Sequence, residues 1–333
     1  MSSSKIITIV GATGAQGKSV LTSFLADPSY TIRAVTRNPS SPSAQSLLSL
    51  SKDNKVSLVQ ADANDLNSLK SAFAGSHVIF AVTNFGELFM SNSLDGQKAK
   101  SLEAQQGINF ALAAASTLDT LEHYVWSTLP DSHSISGGKN PVPHFDGKAA
   151  VDEHIRSSMP ELLAKTTFLF VGMYSSVFAM PLFLPIFFKA ANKYIHFGVS
   201  SPQTPVKMIG NIDKNLGPFV KAAVEQGDKT RQGAVVLAAL PKWYTSEELL
   251  KIWADAKGVE AQYLRLGEED YKALWGGWGE EIGSMLLYWD QVKERSWIRA
   301  DAGGEKVLTA EDLGLGESDL EGLAESFKAL PIA

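Results

Sequence analysis

Cysteine is absent from the 333-residue sequence. That excludes disulfides, a thiolate nucleophile and any cysteine-ligated metal. No apolar run approaches the ~20 residues a membrane-spanning helix needs. The most apolar window, Val177 to Phe188, is short and broken by Pro181 and Pro185, so a buried wall or pocket lining is expected there. Positive charge is in deficit. With 30 Lys and Arg against 36 Asp and Glu, the net charge is −6 and the pI is near 5.6. This balance argues against general affinity for nucleic acid or an anionic membrane and leaves protein partners, including a second copy of the chain, open. The start, MSSSKII, lacks a charged region followed by a signal-length apolar stretch, and the end, LPIA, carries no targeting signal. A cytoplasmic chain is expected, with the nucleus open. His123, His133, His154 and His196 share no motif, so no metal site is read from them. Hydrophobic content of 44% and charge of 20% are those of a globular protein.

What is present centres on residues 5–38. Ile6, Ile7, Ile9 and Val10 form an apolar, β-branched run that fits a strand buried on both faces. The turn Gly11-Ala-Thr13-Gly14-Ala-Gln16-Gly17 follows, and then Val20, Leu21, Phe24 and Leu25 recur at helical spacing. Strand, glycine turn, helix and second strand form the context a dinucleotide-binding motif requires. Gly11 permits the sharp turn, Gly14 lets a pyrophosphate approach the backbone, and Gly17 lets the helix pack close to the strand. The helix N-terminus then faces the phosphates. A carboxylate at the end of the second strand is a further absence. NAD-binding folds usually place one there for the ribose hydroxyls. Arg37 and Asn38 stand in its place, and a guanidinium fork suits a 2′-phosphate. NADP is therefore favoured over NAD; the alternative makes Arg37 a solvated loop charge.

Repeated βα units continue to residue 175 and predict a doubly wound parallel sheet. The third strand, Val56–Ala61, ends at Asp62, which serves either the adenine edge or the next helix cap, a role open also to Asn64 or Asp65. The fourth, Gly75–Val82, ends Thr83-Asn84-Phe85, where Asn84 can bond a ribose or phosphate and Phe85 can flank it. A helix over 96–118 is expected to turn its polar residues to solvent. The fifth strand, His123–Thr128, leads through a turn-rich loop to a helix opening His144-Phe-Asp-Gly-Lys148. Positions 144 and 148 share a helix face. The sixth strand, Lys165–Val171, ends Gly172-Met-Tyr174. Beyond it the alternation weakens. Strands are expected at 193–197, 206–210, 234–238 and 263–266, and helices from Asn211 to about Glu225, from a Thr245–Glu248 capping box to Gly258, and over 268–275, 280–295 and 317–329. Trp275, Trp278, Tyr288, Trp289 and Trp297 form a core stripe or line a pocket.

With these residues in hand, the chain resembles the NmrA-like family of atypical short-chain dehydrogenase/reductase folds, most sharply over residues 5–175 and in the HFDGK helix start and TNF strand end. The resemblance is to fungal-type members of the family. The resemblance implies a Rossmann domain over 1–175 and a smaller C-terminal α/β region over 176–333, interleaved, with the ligand cleft between them. It implies NADP held by Gly11, Thr13, Gly14, Gln16, Gly17 and Arg37, with Asp62, Asn84 and Lys148 also in contact and the segment after the sixth strand near the nicotinamide.

One departure from that pattern bears on chemistry. Ordinary short-chain dehydrogenases use Tyr-x-x-x-Lys, in which the phenol transfers a proton. Here His144 holds the tyrosine position, Lys148 is retained, and Ser127 resembles the serine that polarises a carbonyl. Three readings follow. Histidine replaces tyrosine as the acid, since its free pKa lies near neutrality. Lys148 itself is the acid or base, as in isoflavone-reductase-like enzymes. Or the chain binds NADP without turning it over, and His144 is a structural residue of the helix start. The first two make an NADPH-dependent oxidoreductase of an apolar carbonyl, enone or imine held between Ser127, Phe85, Tyr174 and the 177–188 wall. The third makes a redox sensor acting on a protein partner such as a transcription factor.

Overall fold

The computed structural model describes residues 4–51, 53–299 and 306–332. Met1–Ser3 and Ala333, which bear on the two chain ends and the outer limits of the two regions, lie outside the described residues. Seven strands form one parallel sheet: β1 (Lys5–Val10), β2 (Tyr30–Thr36), β3 (Val56–Gln60), β4 (Val78–Ala81), β5 (His123–Thr128), β6 (Thr166–Val171) and, after four strands placed elsewhere, β11 (Ala234–Ala238). Their spatial order is β11-β6-β5-β4-β1-β2-β3. β1 pairs with β2 through Ile9↔Ala34 and with β4 through Ile9↔Phe80. Strand order therefore reverses between β1 and β4, and that switch point opens a crevice at the carboxyl ends of the strands. The sheet is a Rossmann-type α/β sheet. β5 and β6 are buried at every residue, as expected of strands covered on both faces.

Helix Ala15–Leu25 packs with helix Ile212–Glu225 on one face of the sheet, while Leu66–Phe73, Gly96–Ala115 and Pro143–Ser158 pack on the other. The first pair crosses tightly because Gly217 offers no side chain: a Cβ there would lie 2.1 Å from Ser23 Oγ and 2.4 Å from the Ser19 carbonyl. The chain beyond 175 thus returns twice to the large sheet, once as this helix and once as β11, whose Val236 pairs with Leu169 of β6. The remainder forms two small sheets. One holds β7 (Met173–Tyr174), β10 (Pro205–Gly210) and β12 (Trp243–Thr245); the other holds β8 (Ile186–Phe188), β9 (Lys193–Gly198) and β13 (Ala261–Arg265). The Thr245–Glu248 capping box forms as read.

Three expectations are corrected. The helix read over 96–118 ends at Ala115 and turns Glu103 into the interior, with no exposed surface, while Gln105 stays exposed. Glu103 is drawn in by the two partners described below. The final helices are Gly277–Val292 and Leu323–Lys328, the first starting earlier and the second shorter than read. The window 177–188 is not one buried wall. Phe178 and Phe183 are buried, but Pro185 precedes the edge strand β8, whose Ile186, Phe187 and Phe188 are about half exposed. Among the described residues no helix is long and apolar enough to cross a membrane.

Two buried histidines make the fold acid-sensitive. Burial holds His123 down at about 3, with Arg231 adding to the effect. Burial likewise holds His196 at about 4, against a hydrogen bond of the ring to the Phe183 backbone, which raises it. Both lie below the free value of 6.5, so the unfolded chain takes up these protons first. Their stabilising contribution is complete above about pH 6.5 and is lost as pH falls toward the folded values, at about 1.4 kcal/mol per unit for each group. Carboxylates held low by lysine partners, Asp27 and Asp312, act only below about pH 4. Asp152 works the other way: burial pushes its carboxyl up to about 8, so over this range it holds a proton that the unfolded chain lacks and stabilises the fold as pH falls. His196→Phe, which keeps a ring against Phe178 at a site where the rings stack 5.5 Å apart, should therefore raise the urea midpoint at pH 5 relative to that at pH 7, compared with the wild type. A difference between the two pH values unchanged from the wild type would exclude His196 as a source.

Candidate functional site

The switch-point crevice is a groove of about 810 Å³. Gly11 turns the chain out of β1 with φ +73°, and the Gly14 N–H donates back to the Gly11 carbonyl at 2.9 Å. Gly14 faces open groove; a Cβ there would meet only the Gly11 carbonyl, at 3.4 Å. Gly17 does not line the groove. It packs beneath the turn, where a Cβ would lie 2.3 Å from the Gly11 carbonyl oxygen. Thr13 and Gln16 complete this wall, and Arg37, Asn38 and Ser41 stand at the far end, past β2. Asp62 and Asn84 line the side beyond β3 and β4. Asp65 caps helix Leu66–Phe73, leaving the Asp62 carboxylate to the N–H groups of Asn64. Asn84 caps a short helix, Phe85–Ser91, that the sequence reading did not contain. That helix turns Phe85 into a satellite cluster with Phe89 and Ala99, so Phe85 lines neither the groove nor the pocket described next.

Arg37 forks onto Glu87 of this helix, with Nη1 donating to Oε1 at 2.5 Å and Nη2 to Oε2 at 3.1 Å. Both side chains are exposed. The Glu87 carboxylate raises the Arg37 pKa through its hydrogen bonds first and its charge second.

A second cavity of about 230 Å³ adjoins the groove and is mostly apolar. Ser127, Thr128 and Leu129 line it at the end of β5, and Val171 to Tyr174 line it at the end of β6. Val177, Met180 and Phe183 form one wall; Ile282, Met285, Trp289 and Trp297, from the C-terminal region, form another. Trp289 and Trp297 thus serve both the core and the pocket. Gln16 and Tyr174 line both cavities. Gln16 bridges two hydroxyls: it donates to Tyr174 Oη at 2.6 Å and accepts from Ser127 Oγ at 2.7 Å. Burial pushes Tyr174 up to about 12, with the Gln16 bond acting the other way. A neutral phenol therefore stands at the junction across the physiological range.

Lys148 and His144 reach this pocket from the first turns of helix Pro143–Ser158. Lys148 is buried, and its Nζ donates to Glu103 Oε1 at 2.5 Å and to Thr83 Oγ1 at 2.7 Å. Thr83 Oγ1 in turn donates to Glu103 Oε1 at 2.8 Å, closing a three-membered ring of contacts. His144 Nδ1 meets Glu281 Oε1 at 2.6 Å. Glu103 and Glu281 have no signal in the sequence, and Thr83 is read there only as part of the strand end, without a partner. Each is a common residue type in a polar context, and only tertiary packing brings it to its partner. Among the described residues no group of three or more His, Asp and Glu could hold a metal ion. A further polar cavity of about 610 Å³ lies at the amino ends of the strands, but its charges are spent on ion pairs such as Lys5–Glu122 and Arg231–Asp228.

The sequence profile described as the NmrA-like family matches residues 3–307. An NmrA-like family domain-containing oxidoreductase of Aspergillus hancockii is 31% identical over 183 residues, which make up 55% of this chain and 50% of that protein. The match thus spans about half the length of that relative. The fold is shared with NmrA, a negative transcriptional regulator solved in complex with NADP, at a TM-score of 0.74 and 20% identity, covering 98% of this chain and 95% of the other. It is shared also with an NADPH-dependent quinone oxidoreductase of Escherichia coli solved with NADPH, at 0.65 and 20%, covering 96% and 98%.

Proposed function

The chain belongs to the NmrA-like family, and we propose that it is an NADPH-dependent oxidoreductase acting on an apolar small-molecule carbonyl, enone or imine. One observation carries this reading: the glycine-turn groove adjoins an apolar pocket through the shared residues Gln16 and Tyr174, and the polar groups of that pocket include Ser127, His144 and Lys148. A domain division at about residue 175 fits the same picture, with the pocket roofed from the C-terminal region.

The groove fits the cofactor. The bare backbone at Gly14 leaves space that a Cβ would fill, and Gly11, Thr13, Gly14 and Gln16 stand at the N-terminus of helix Ala15–Leu25, where donors and dipole favour phosphate. Gly17 sets the closeness of that helix. Arg37 would take the 2′-phosphate, Asp62 and Asn84 the adenosine side. Bound NADPH supplies the hydride. Ser127 Oγ, turning its one proton from Gln16 Oε1 to the substrate oxygen, would orient that oxygen; Lys148 Nζ would face the charge that grows on it, and His144 would deliver the proton. The apolar walls lower the local dielectric, which strengthens each of these contacts.

Purified protein is expected to oxidise NADPH in the presence of particular members of a ketone, enone and imine panel, after fluorescence titration has measured binding. Tight binding with no turnover by any member would count against the enzyme. Arg37→Glu should weaken NADPH about 10- to 100-fold, the value of lost charge-assisted bonds, and weaken NADH far less. Equal loss for both would remove Arg37 from phosphate recognition.

A second reading, a redox sensor for a protein partner, draws on the half-exposed apolar edge strand Ile186-Phe187-Phe188. Exposed apolar surface of this kind marks contact sites. In that case NADP binds, no substrate turns over, and partner affinity changes with the cofactor.

A further inference from the structure

We infer that Glu281 is a positioning residue for His144, holding its ring so that Nε2 is the nitrogen offered to the pocket. The inference deepens the oxidoreductase reading and rests on it.

Glu281 lies on helix Gly277–Val292, far from His144 in sequence, and its side chain is 3% exposed. A carboxylate is acceptor-only, so the 2.6 Å contact to Nδ1 requires the proton on Nδ1. Nε2 then remains, and it has no partner among the described residues. Two rings restrict rotation: Phe145 stands edge-on with centroids 4.9 Å apart, and Phe85 is tilted at 5.6 Å. The Phe85 that does not reach the groove thus acts on the imidazole. Room for the carboxylate is also set by the backbone. A Cβ at Gly96 would lie 2.7 Å from Glu281 Oε2.

In the reductive direction the ring carries a proton on each nitrogen. The Nε2–H bond breaks as the O–H bond of the product forms, and the ring is left neutral with its remaining proton on Nδ1, against Glu281. The lost proton is regained from water. In this scheme His144 touches substrate, and Glu281 acts only through it.

A purely structural role competes with this one. Glu281 Oε1 also accepts the backbone N–H of His144 at 3.1 Å, at a helix start where Val142 supplies no side-chain cap. The two roles separate by experiment on the full chain. Glu281→Ala and His144→Gln should each lower kcat about 100-fold with little change in KM. The double variant should be no slower than His144→Gln alone. Glu281→Gln keeps an acceptor for both N–H groups, so it should restore thermal stability and recover much of kcat. With 15N-labelled histidine, NMR should show the Nδ1–H form for His144 in the wild type and in Glu281→Gln, and its loss in Glu281→Ala. Multiplying losses in the double variant, or an unchanged His144 tautomer in Glu281→Ala, would overturn the role of Glu281. Absence of turnover in the wild type would instead overturn the oxidoreductase reading, whatever the tautomer shows.

Discussion

Lys148→Met is expected to abolish substrate-dependent NADPH oxidation and to destabilise the fold by about 3–5 kcal/mol, while Lys148→Met combined with Glu103→Gln recovers stability but no activity. The first half of this result follows from the pocket. Lys148 is the one ammonium group lining it among the described residues, and methionine has similar length without charge or donors. The second half follows from what lies behind Lys148. Glu103 has no exposed surface, and its Oε1 accepts from both Lys148 and Thr83. Its Oε2 is buried with no hydrogen-bond partner. Removing the lysine strands a carboxylate in the interior with one hydroxyl for company. Breaking a buried pair from one side leaves an uncompensated charge, whereas neutralising both partners is far cheaper. Urea unfolding and an assay of substrate-dependent NADPH oxidation measure the two halves separately, and NADPH titration reads cofactor affinity. If the regulator reading holds, the stability pattern is the same, but the variant loses only cofactor affinity. Additive stability losses in the double variant would show that Glu103 and Lys148 are not energetically coupled.

The sequence carried the parts of this molecule that are encoded locally. A β-branched run, a glycine turn and an apolar helix stripe are enough to place β1, its turn and its helix, because each is set by neighbours within about twenty residues. The parallel sheet follows from the repetition of such units. Arg37 and Lys148 were legible because each stands at a fixed offset from a recognisable element. The partners of the charged groups were not. Glu103 belongs to a helix whose surface positions carry Gln and Lys, and nothing in its spacing separates it from Gln105, which is exposed. Glu281 reaches His144 from a helix near the other end of the chain, after β11 and the small sheets have brought that helix over the pocket. The proline-broken window departs from its expected burial for a related reason. Composition reports how apolar a stretch is, but which of its residues face inward depends on where β8 pairs, and among the described residues β8 pairs only with β9. Phe85 is expected at a strand end, but it opens helix Phe85–Ser91, and the cap made by Asn84 turns it away from the groove.

The largest expected effect in the glycine turn separates two glycines to which the motif gives different roles. Gly17→Ala should damage both folding and cofactor binding, whereas Gly14→Ala should leave the apo fold nearly as stable and still lose NADPH affinity. At Gly17 a Cβ would lie 2.3 Å from the Gly11 carbonyl oxygen, 2.5 Å from its carbon and 2.7 Å from the Ala12 Cα. All three are backbone atoms of the turn itself, so no side chain can swing aside. Relief requires the helix to move off β1, disturbing the contact of Val20, Leu21 and Phe24 with the core. Overpacking of this kind costs about 1–3 kcal/mol or more, and the displaced helix N-terminus no longer aims its N–H groups at the phosphates. Gly14 has an extended conformation, φ −88° and ψ 169°, which alanine adopts freely. Its added methyl would meet only the Gly11 carbonyl at 3.4 Å and otherwise project into the groove. The cost therefore falls on whatever must approach that backbone. Thermal unfolding with and without NADPH distinguishes the cases: Gly14→Ala should melt near the wild-type temperature without cofactor and gain little from adding it, and Gly17→Ala should melt early in both. A Gly14→Ala protein stabilised by NADPH as strongly as the wild type would mean that the pyrophosphate does not pass over this turn.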